Sequence, residues 1–195
     1  MAIPVRNLVG MASASLGARA LGWRRPLNLM LAVTDRCTGH CLYCQIPQRR
    51  SPEMTLDQIR ALLDQAAELG CQRLGLWGGE PLVRRDLGAI VAHARGQGMF
   101  VTVDTNAHLL HRRFDAVEQA SHLNISIDGD RDAHDAARGE GSFDRTMRGL
   151  LHAAGRMPVW TITVLHRRNL DQVDWLLELA ERLGLMCSFQ ILHHN

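Results

Sequence analysis

Three cysteines, Cys37, Cys41 and Cys44, stand at C-x3-C-x2-C spacing within Thr34-Asp35-Arg36-Cys37-Thr38-Gly39-His40-Cys41-Leu42-Tyr43-Cys44. Thiolates are the ligands of iron–sulfur clusters, and one short loop can bring three of them around a cubane. Three protein thiolates on four irons leave one iron open. An open iron can bind and activate a small molecule, whereas a fully ligated cluster mostly carries electrons. A zinc site built from the same cysteines with His40 or a distant histidine is the competing metal reading. It lacks the second ligand pair that zinc modules bring. A third reading makes the three cysteines ordinary core residues, but the polar Thr38-Gly39-His40 insert is a poor core segment. Cys71 and Cys187 lie apart, in apolar surroundings, and read as packing residues.

A second stretch with chemical content is Gly78-Gly79-Glu80-Pro81. Two residues without side chains let a ligand approach the backbone closely, and Pro81 fixes the direction in which the chain leaves. Taken alone, the same four residues serve equally well as a tight turn.

Composition removes several function classes. All 22 basic residues are arginine, so the chain has no lysine for a Schiff base or for a Walker-type phosphate loop. The net charge of +2 and the scattering of the arginines give no case for nucleic acid. Five cysteines, three clustered and two apart, do not form the even framework of a secreted disulfide protein, which favours a reducing, cytoplasmic compartment. No stretch approaches the ~20 apolar residues of a membrane span.

Strand and helix signals then alternate from residue 27 with little filler. Apolar runs predict strands at 27–33, 73–77, 99–104, 122–127, 159–165 and 186–192. Between them, periodicity and caps predict helices over 55–70, 87–95, 109–119, 142–154 and 170–183. Thr55 with Gln58 forms a capping box for the first of these, and Ser142 is the expected cap of the fourth. Residues 128–130 read as an acidic loop. Six strands alternating with helices imply parallel βαβ units, an α/β chain arranged as a partial (β/α)6 barrel without its last helix. Ligands of such a barrel collect on the loops after the strands' C-terminal ends. The cysteines, the two glycines with Glu80, Thr105-Asn106 and Ser126-Ile127-Asp128 all fall there. An open doubly wound sheet would also bind at strand ends, but it would normally carry a glycine-rich phosphate loop where the cysteines stand.

With both motifs in this order, residues 27–195 closely resemble the radical S-adenosylmethionine (SAM) enzymes. The resemblance implies a [4Fe–4S] cluster on Cys37, Cys41 and Cys44, with SAM chelating the fourth iron. It implies that Tyr43 lies near the adenine and that Gly78, Gly79 and Glu80 meet the SAM amino group. Ser126 and Arg138 look like the residues that hold the SAM carboxylate, and Asp104, Asn106 and Asp128 are candidates near the ribose. The implied activity is reductive cleavage of SAM to a 5′-deoxyadenosyl radical, fed by a small electron donor such as ferredoxin or flavodoxin. The run from Asp128 to Asp144 is similar to the peptide-modifying and sulfatase-maturating branch. It is also similar to enzymes that adenosylate a hopanoid lipid precursor, so a peptide and a small isoprenoid-like molecule are both open as substrates. A non-catalytic iron–sulfur or zinc scaffold is the alternative function. The chain departs from the family pattern in two places. It stops after the sixth strand, as a fragment or a chain completed by a partner would, and no clear adenine motif stands at 161–167. The closing His193-His194-Asn195 reads as a cut loop.

Residues 1–26 form a separate basic arm with no acidic residue and with Arg6, Arg19, Arg24 and Arg25. Val5, Leu8, Val9, Leu16 and Leu21 could mark one helical face, weakened by Gly10, Gly17 and Gly22. Such an arm either packs on its own barrel or makes weak contact with an anionic membrane surface.

Overall fold

The apolar strand segments pair in chain order. The structure, a computed structural model, describes residues 4–22 and 24–192. β1 (Asn28–Thr34), β2 (Arg73–Gly78), β3 (Phe100–Thr105), β4 (His122–Ser126), β5 (Val159–Leu165) and β6 (Met186–Ile191) form one sheet in the order β1-β2-β3-β4-β5-β6. Every pairing is parallel, and β1 and β6 are the edges. This is the expected partial (β/α)6 barrel.

The alternation of the strands divides the sheet into two faces. Leu74 and Leu76, Val101 and Val103, and Leu123 and Ile125 are fully buried against the helices. The opposite, luminal face carries Trp77, Thr102, Asp104, Asn124 and Ser126. Four covering helices contribute the apolar side of the core: α2 (Leu56–Glu68), α3 (Leu87–Gly96), α5 (Ser142–Ala153) and α6 (Val173–Leu183). In α2, Ile59, Leu63 and Ala66 face the sheet, and the Thr55–Gln58 capping box forms as the sequence predicts.

Two local expectations are corrected, and one helix is added. Residues 109–119 form no α-helix; turns and a short 3-10 segment (Phe114–Ala116) stand there. The Arg113 guanidinium donates to the carbonyls of Leu82, Arg84 and Arg85, which anchors this segment to the loop after β2 instead of letting it coil as a surface helix. The acidic loop 128–130 leads into a helix that periodicity did not mark, α4 (Arg131–Arg138), capped by the Asp130 carboxylate accepting from Ala133 N–H at 3.0 Å. Ser142 does not cap α5. Gly141 occupies the cap position in the left-handed region, and Asp135 accepts from the N–H groups of Gly141 (2.9 Å) and Phe143 (2.7 Å) in its place.

The arm also departs from expectation. α1 (Val5–Leu21) forms, but Val5, Leu8, Val9, Leu16 and Leu21 point outward, 44–74% exposed. The inward seam is Asn7, Gly10, Ala14 and Gly17, spaced to lie along one side. Asn7 Nδ2 donates to the carbonyls of Gln72 (3.2 Å) and Gly98 (3.1 Å), the residues just before β2 and β3. The helix therefore lies at the N-terminal end of the strands, opposite the cysteine loop. Residues 193–195, with the terminal histidines, lie outside the described residues.

Candidate cluster and SAM site

The cysteine loop leaves β1 at Thr34 and is fastened to the loop after β2. Gly79 N–H donates to Thr34 O and Glu80 N–H to Arg36 O, both at 2.8 Å. This fastening explains the two glycines. Gly78 has φ +135°, and a β-carbon on it would meet the Thr34 carbonyl; a β-carbon on Gly79 would run into the carbonyls of Arg36 and Asp35. With their N–H groups taken, Gly79 and Glu80 can offer a ligand only carbonyl oxygens, which suit an ammonium donor. The Glu80 side chain is turned away from any ligand. Fully buried, it accepts from Leu82 N–H (3.0 Å), Thr105 Oγ1 (2.8 Å) and Asn106 N–H (2.7 Å). Burial pushes its carboxyl up to about 7 against the pull of those three donors. Glu80 thus ties β2 to the end of β3.

A second fastening joins the loop to α4. Leu42 N–H donates to Ala137 O at 2.9 Å. Arg138, the last residue of α4, is 8% exposed, not a solvated loop arginine. Its Nε and Nη2 donate to Asp128 at 2.7 and 3.2 Å, while Nη1 lies 3.9 Å from Cys41 Sγ. Tyr43 donates its hydroxyl to the same Asp128 at 2.6 Å, and the arginine sits over its ring. Burial would raise the Asp128 carboxyl, but Arg138, Tyr43 and Val164 N–H outweigh it and hold it below the usual carboxylate range. The same burial, assisted by Asp128, pushes the Tyr43 phenol well above its ordinary value.

Without a cation beside them, Cys37 and Cys41 favour the neutral thiol. Burial raises Cys37 and Cys41, and negative neighbours add to it: Glu80 and Cys44 at Cys37, Cys44 and Cys37 at Cys41. Arg138 opposes this at Cys41. To bind as thiolates the cysteines would need positive charge beside them, which iron would supply. Among the described residues, no three cysteine, histidine or acidic side chains are gathered as a single-ion site. Cys71, whose Sγ–H donates to Arg73 O at 3.3 Å, is a core residue, and Cys187 sits half-buried on β6.

Behind the loop runs a buried polar network that periodicity could not reveal. His108 and His134 are 6% and 0% exposed, and burial lowers both to about 4, so both are neutral. Asp128 N–H donates to His134 Nδ1 (3.2 Å), Ser142 Oγ lies 3.2 Å from His134 Nε2 and 2.9 Å from His108 Nε2, and His108 Nδ1 is 3.4 Å from Thr38 Oγ1. Asn106 is held in this network. Its N–H donates to Glu80, its carbonyl accepts from Thr146, its Oδ1 accepts from His108 N–H, and its Nδ2 faces Thr38 Oγ1 (3.1 Å) and Cys37 Sγ (3.7 Å).

Asp104 lies deeper on the luminal face, where Asn124 Nδ2 donates to it at 2.7 Å and burial raises its carboxyl. Ser126 ends β4 on the same face, half-buried. A cavity of about 920 Å³ opens at the ends of β5 and β6, lined by Tyr43, Ala137, Leu165, His166 and Ile191 among others. His166 lines it within the 161–167 stretch where no motif was legible. Its Nδ1 accepts from Arg168 N–H, so Nε2 carries the proton, and this buried donor has no partner among the described residues. Asn169, also fully buried, fastens the β5 loop to Asp128 O (3.0 Å) and Val164 O (3.1 Å).

Comparison with known proteins agrees with this arrangement. The model of the radical SAM superfamily matches residues 31–180. The PqqA peptide cyclase of Streptomyces rochei is 35% identical over 188 residues, covering 89% of this chain and 48% of that protein. The PqqA peptide cyclase of Methylocella silvestris is 34% identical over 169 residues, covering 82% and 45%. The chain thus spans about half the length of the curated relatives it matches. Among solved structures, Streptococcus suis SuiB bound to S-adenosylmethionine superposes with a TM-score of 0.78 at 16% identity, over 98% of this chain and 47% of that one. The anSMEcpe structure with bound AdoMet gives 0.72 at 15%, over 85% and 51%. At these identities the structures share the fold. The cysteine loop and the glycine pair both fall within the matched residues, and the chain belongs to the radical SAM superfamily, enzymes whose cofactors are a [4Fe–4S] cluster and S-adenosylmethionine.

Proposed function

We propose that this chain is the SAM-cleaving core of an enzyme that modifies a peptide. The observation that carries the reading is the convergence of three thiols, the Arg138–Asp128–Tyr43 group and the cavity at β5 and β6 on one end of the sheet. When bound, a reduced [4Fe–4S] cluster supplies an electron to the SAM sulfonium, whose carbon–sulfur cleavage gives a 5′-deoxyadenosyl radical. Cys37, Cys41 and Cys44 would hold the irons. Backbone carbonyls of the Gly78-Gly79-Glu80 turn would accept from the SAM amino group, and Arg138 Nη1, with Ser126, would hold its carboxylate. Tyr43 and His166 Nε2–H serve the adenine in the apolar cavity, which keeps water from the reacting carbon. A peptide substrate is supported by the relatives named PqqA peptide cyclase and by the SuiB structure bound to its precursor peptide SuiA. The electron comes from a ferredoxin- or flavodoxin-like donor in the cytoplasm.

The test is anaerobic reconstitution of the full-length protein, followed by assay for deoxyadenosine with reductant, SAM and candidate peptides. About four irons per chain are expected, and Cys71→Ala and Cys187→Ala should keep them. One tightly bound zinc without sulfide, or iron without SAM cleavage, returns the chain to a scaffold role. Loss of iron on replacing Cys71 or Cys187 would overturn the ligand assignment.

For the arm, no helix among the described residues is long and apolar enough to cross a membrane. The outward row of Val5, Leu8, Val9 and Leu16, with Arg19 and no acidic residue through position 26, suits weak contact with an anionic lipid surface. Co-sedimentation with phosphatidylglycerol vesicles, weaker in salt and absent with phosphatidylcholine, is expected; equal behaviour with both lipids removes this contact.

A further inference from the structure

The hydrogen bonds of the buried network fit an arrangement in which every donor points the same way. Asp128 N–H can only donate, so His134 Nδ1 accepts and His134 Nε2 carries the proton. That proton goes to Ser142 Oγ, and Thr146 Oγ1 at 3.4 Å shares it because the Thr146 hydroxyl is committed to Asn106 O. Ser142 then donates to His108 Nε2, which leaves His108 Nδ1–H pointing at Thr38 Oγ1. The chain of donors therefore runs in one direction, from the residue that pairs with Arg138 to the residue after Cys37.

Its far end fixes a side-chain amide. The Asn106 Oδ1 must be the atom facing His108 N–H, at 3.0 Å, because only the oxygen can accept. Nδ2 is therefore the end that lies 3.1 Å from Thr38 Oγ1 and 3.7 Å from Cys37 Sγ. Cys37 already accepts from Gly39 N–H at 3.3 Å. Hydrogen bonds to ligand sulfurs raise the reduction potential of an iron–sulfur cluster by stabilising its more negative, reduced form.

We infer that Asn106 tunes the cluster by donating from Nδ2 to Cys37 Sγ, and that His134, Ser142 and His108 are positioning residues that hold it there. The inference rests on the cluster reading above and adds to it a residue, an atom and a direction. The coupling also ties the Arg138–Asp128 pair to the sulfur at the opposite end of the cysteine loop, through side chains packed too tightly to move independently.

The experiment is a potentiometric titration, followed by electron paramagnetic resonance, of the reconstituted parent, Asn106→Ala and Ser142→Ala, each with its iron content measured. The parent's own iron and signal show first whether a cluster is present, so failure of the cluster reading is seen separately. Asn106→Ala should shift the midpoint potential to a more negative value at unchanged iron. Ser142→Ala, which breaks the chain without touching the cysteine loop, should shift it in the same direction by less. An unchanged potential in iron-replete Asn106→Ala overturns the tuning role. A shift in Asn106→Ala with none in Ser142→Ala overturns the role of the histidine–serine chain. Where Asn106→Ala does not retain iron, Ser142→Ala decides alone, and an unchanged potential there counts against the inference.

Discussion

Arg138→Ala is expected to cost the cluster-free protein about 3–5 kcal/mol of folding stability, the cost of removing one partner from a buried ion pair. The reason is what remains behind. Asp128 is fully buried, and its carboxylate loses both guanidinium contacts while keeping only Tyr43 Oη–H and Val164 N–H. Denaturant titration of the parent and variant measures the loss. The double variant Arg138→Ala with Asp128→Ala should recover part of it, because no unpaired charge is left. The pH dependence should reverse sign. In the parent, the Asp128 carboxyl lies below its unfolded value, so its contribution is present above that value and is lost as pH falls through the folded one. In Arg138→Ala, burial without the arginine raises the folded value above the unfolded one. The variant's deficit should then shrink as pH falls from neutral to mildly acidic. A deficit that stays constant would mean Asp128 never depended on Arg138. For cluster-loaded protein, loss of the charge-assisted contact proposed for the SAM carboxylate should weaken SAM binding by roughly 10- to 150-fold.

Arg138 shows how much of the site was legible before the fold was known. The role proposed for it at the SAM carboxylate came only from the family resemblance, and nothing in periodicity marks a buried arginine. α4 was missed for the same reason. Its buried residues, His134, Ala137 and Arg138, do lie at helical spacing, but two of the three are polar. A pattern search for apolar faces reads such a helix as a solvated loop. β1 to β5 were legible because each carries a buried leucine, valine or isoleucine, whereas β6 has only the partly buried Phe189 packed on the core. Residues 109–119 carried a plausible helical pattern that three hydrogen bonds from Arg113 overrode. The arm was misread in the opposite sense. Its apolar residues made the visible pattern, yet the packed seam is the one built from Asn7 and small residues, which gain contact by close approach and not by apolar area.

The glycine pair carries the sharpest disagreement between a motif's reputation and its geometry. If Gly79 is small so that a ligand can approach, then Gly79→Val should keep its iron and lose SAM. The structure points the other way. A β-carbon at Gly79 would overlap the Arg36 carbonyl and lie 2.7 Å from that of Asp35, and backbone at these positions cannot swing aside as a side chain would. Arg36 is the residue before Cys37, and its carbonyl is also the acceptor for Glu80 N–H. Relief of the overlap must therefore push the cysteine loop off β2, opening the hydrogen bonds that fasten it and dispersing the three sulfurs. Gly79→Val is expected to fall from about four irons per chain to nearly none after reconstitution, with ~1–3 kcal/mol of overpacking cost in the cluster-free protein. Gly96→Ala is the matched control. It adds a methyl group where nothing lies within 4 Å, at a helical position where alanine is favoured, and its iron content should equal the parent's. Iron and sulfide analysis, with calorimetry of SAM binding to whatever cluster remains, separates the two accounts. Full iron with weakened SAM would return the glycine to ligand approach, whereas lost iron makes its absent side chain a condition for holding the cysteines in place.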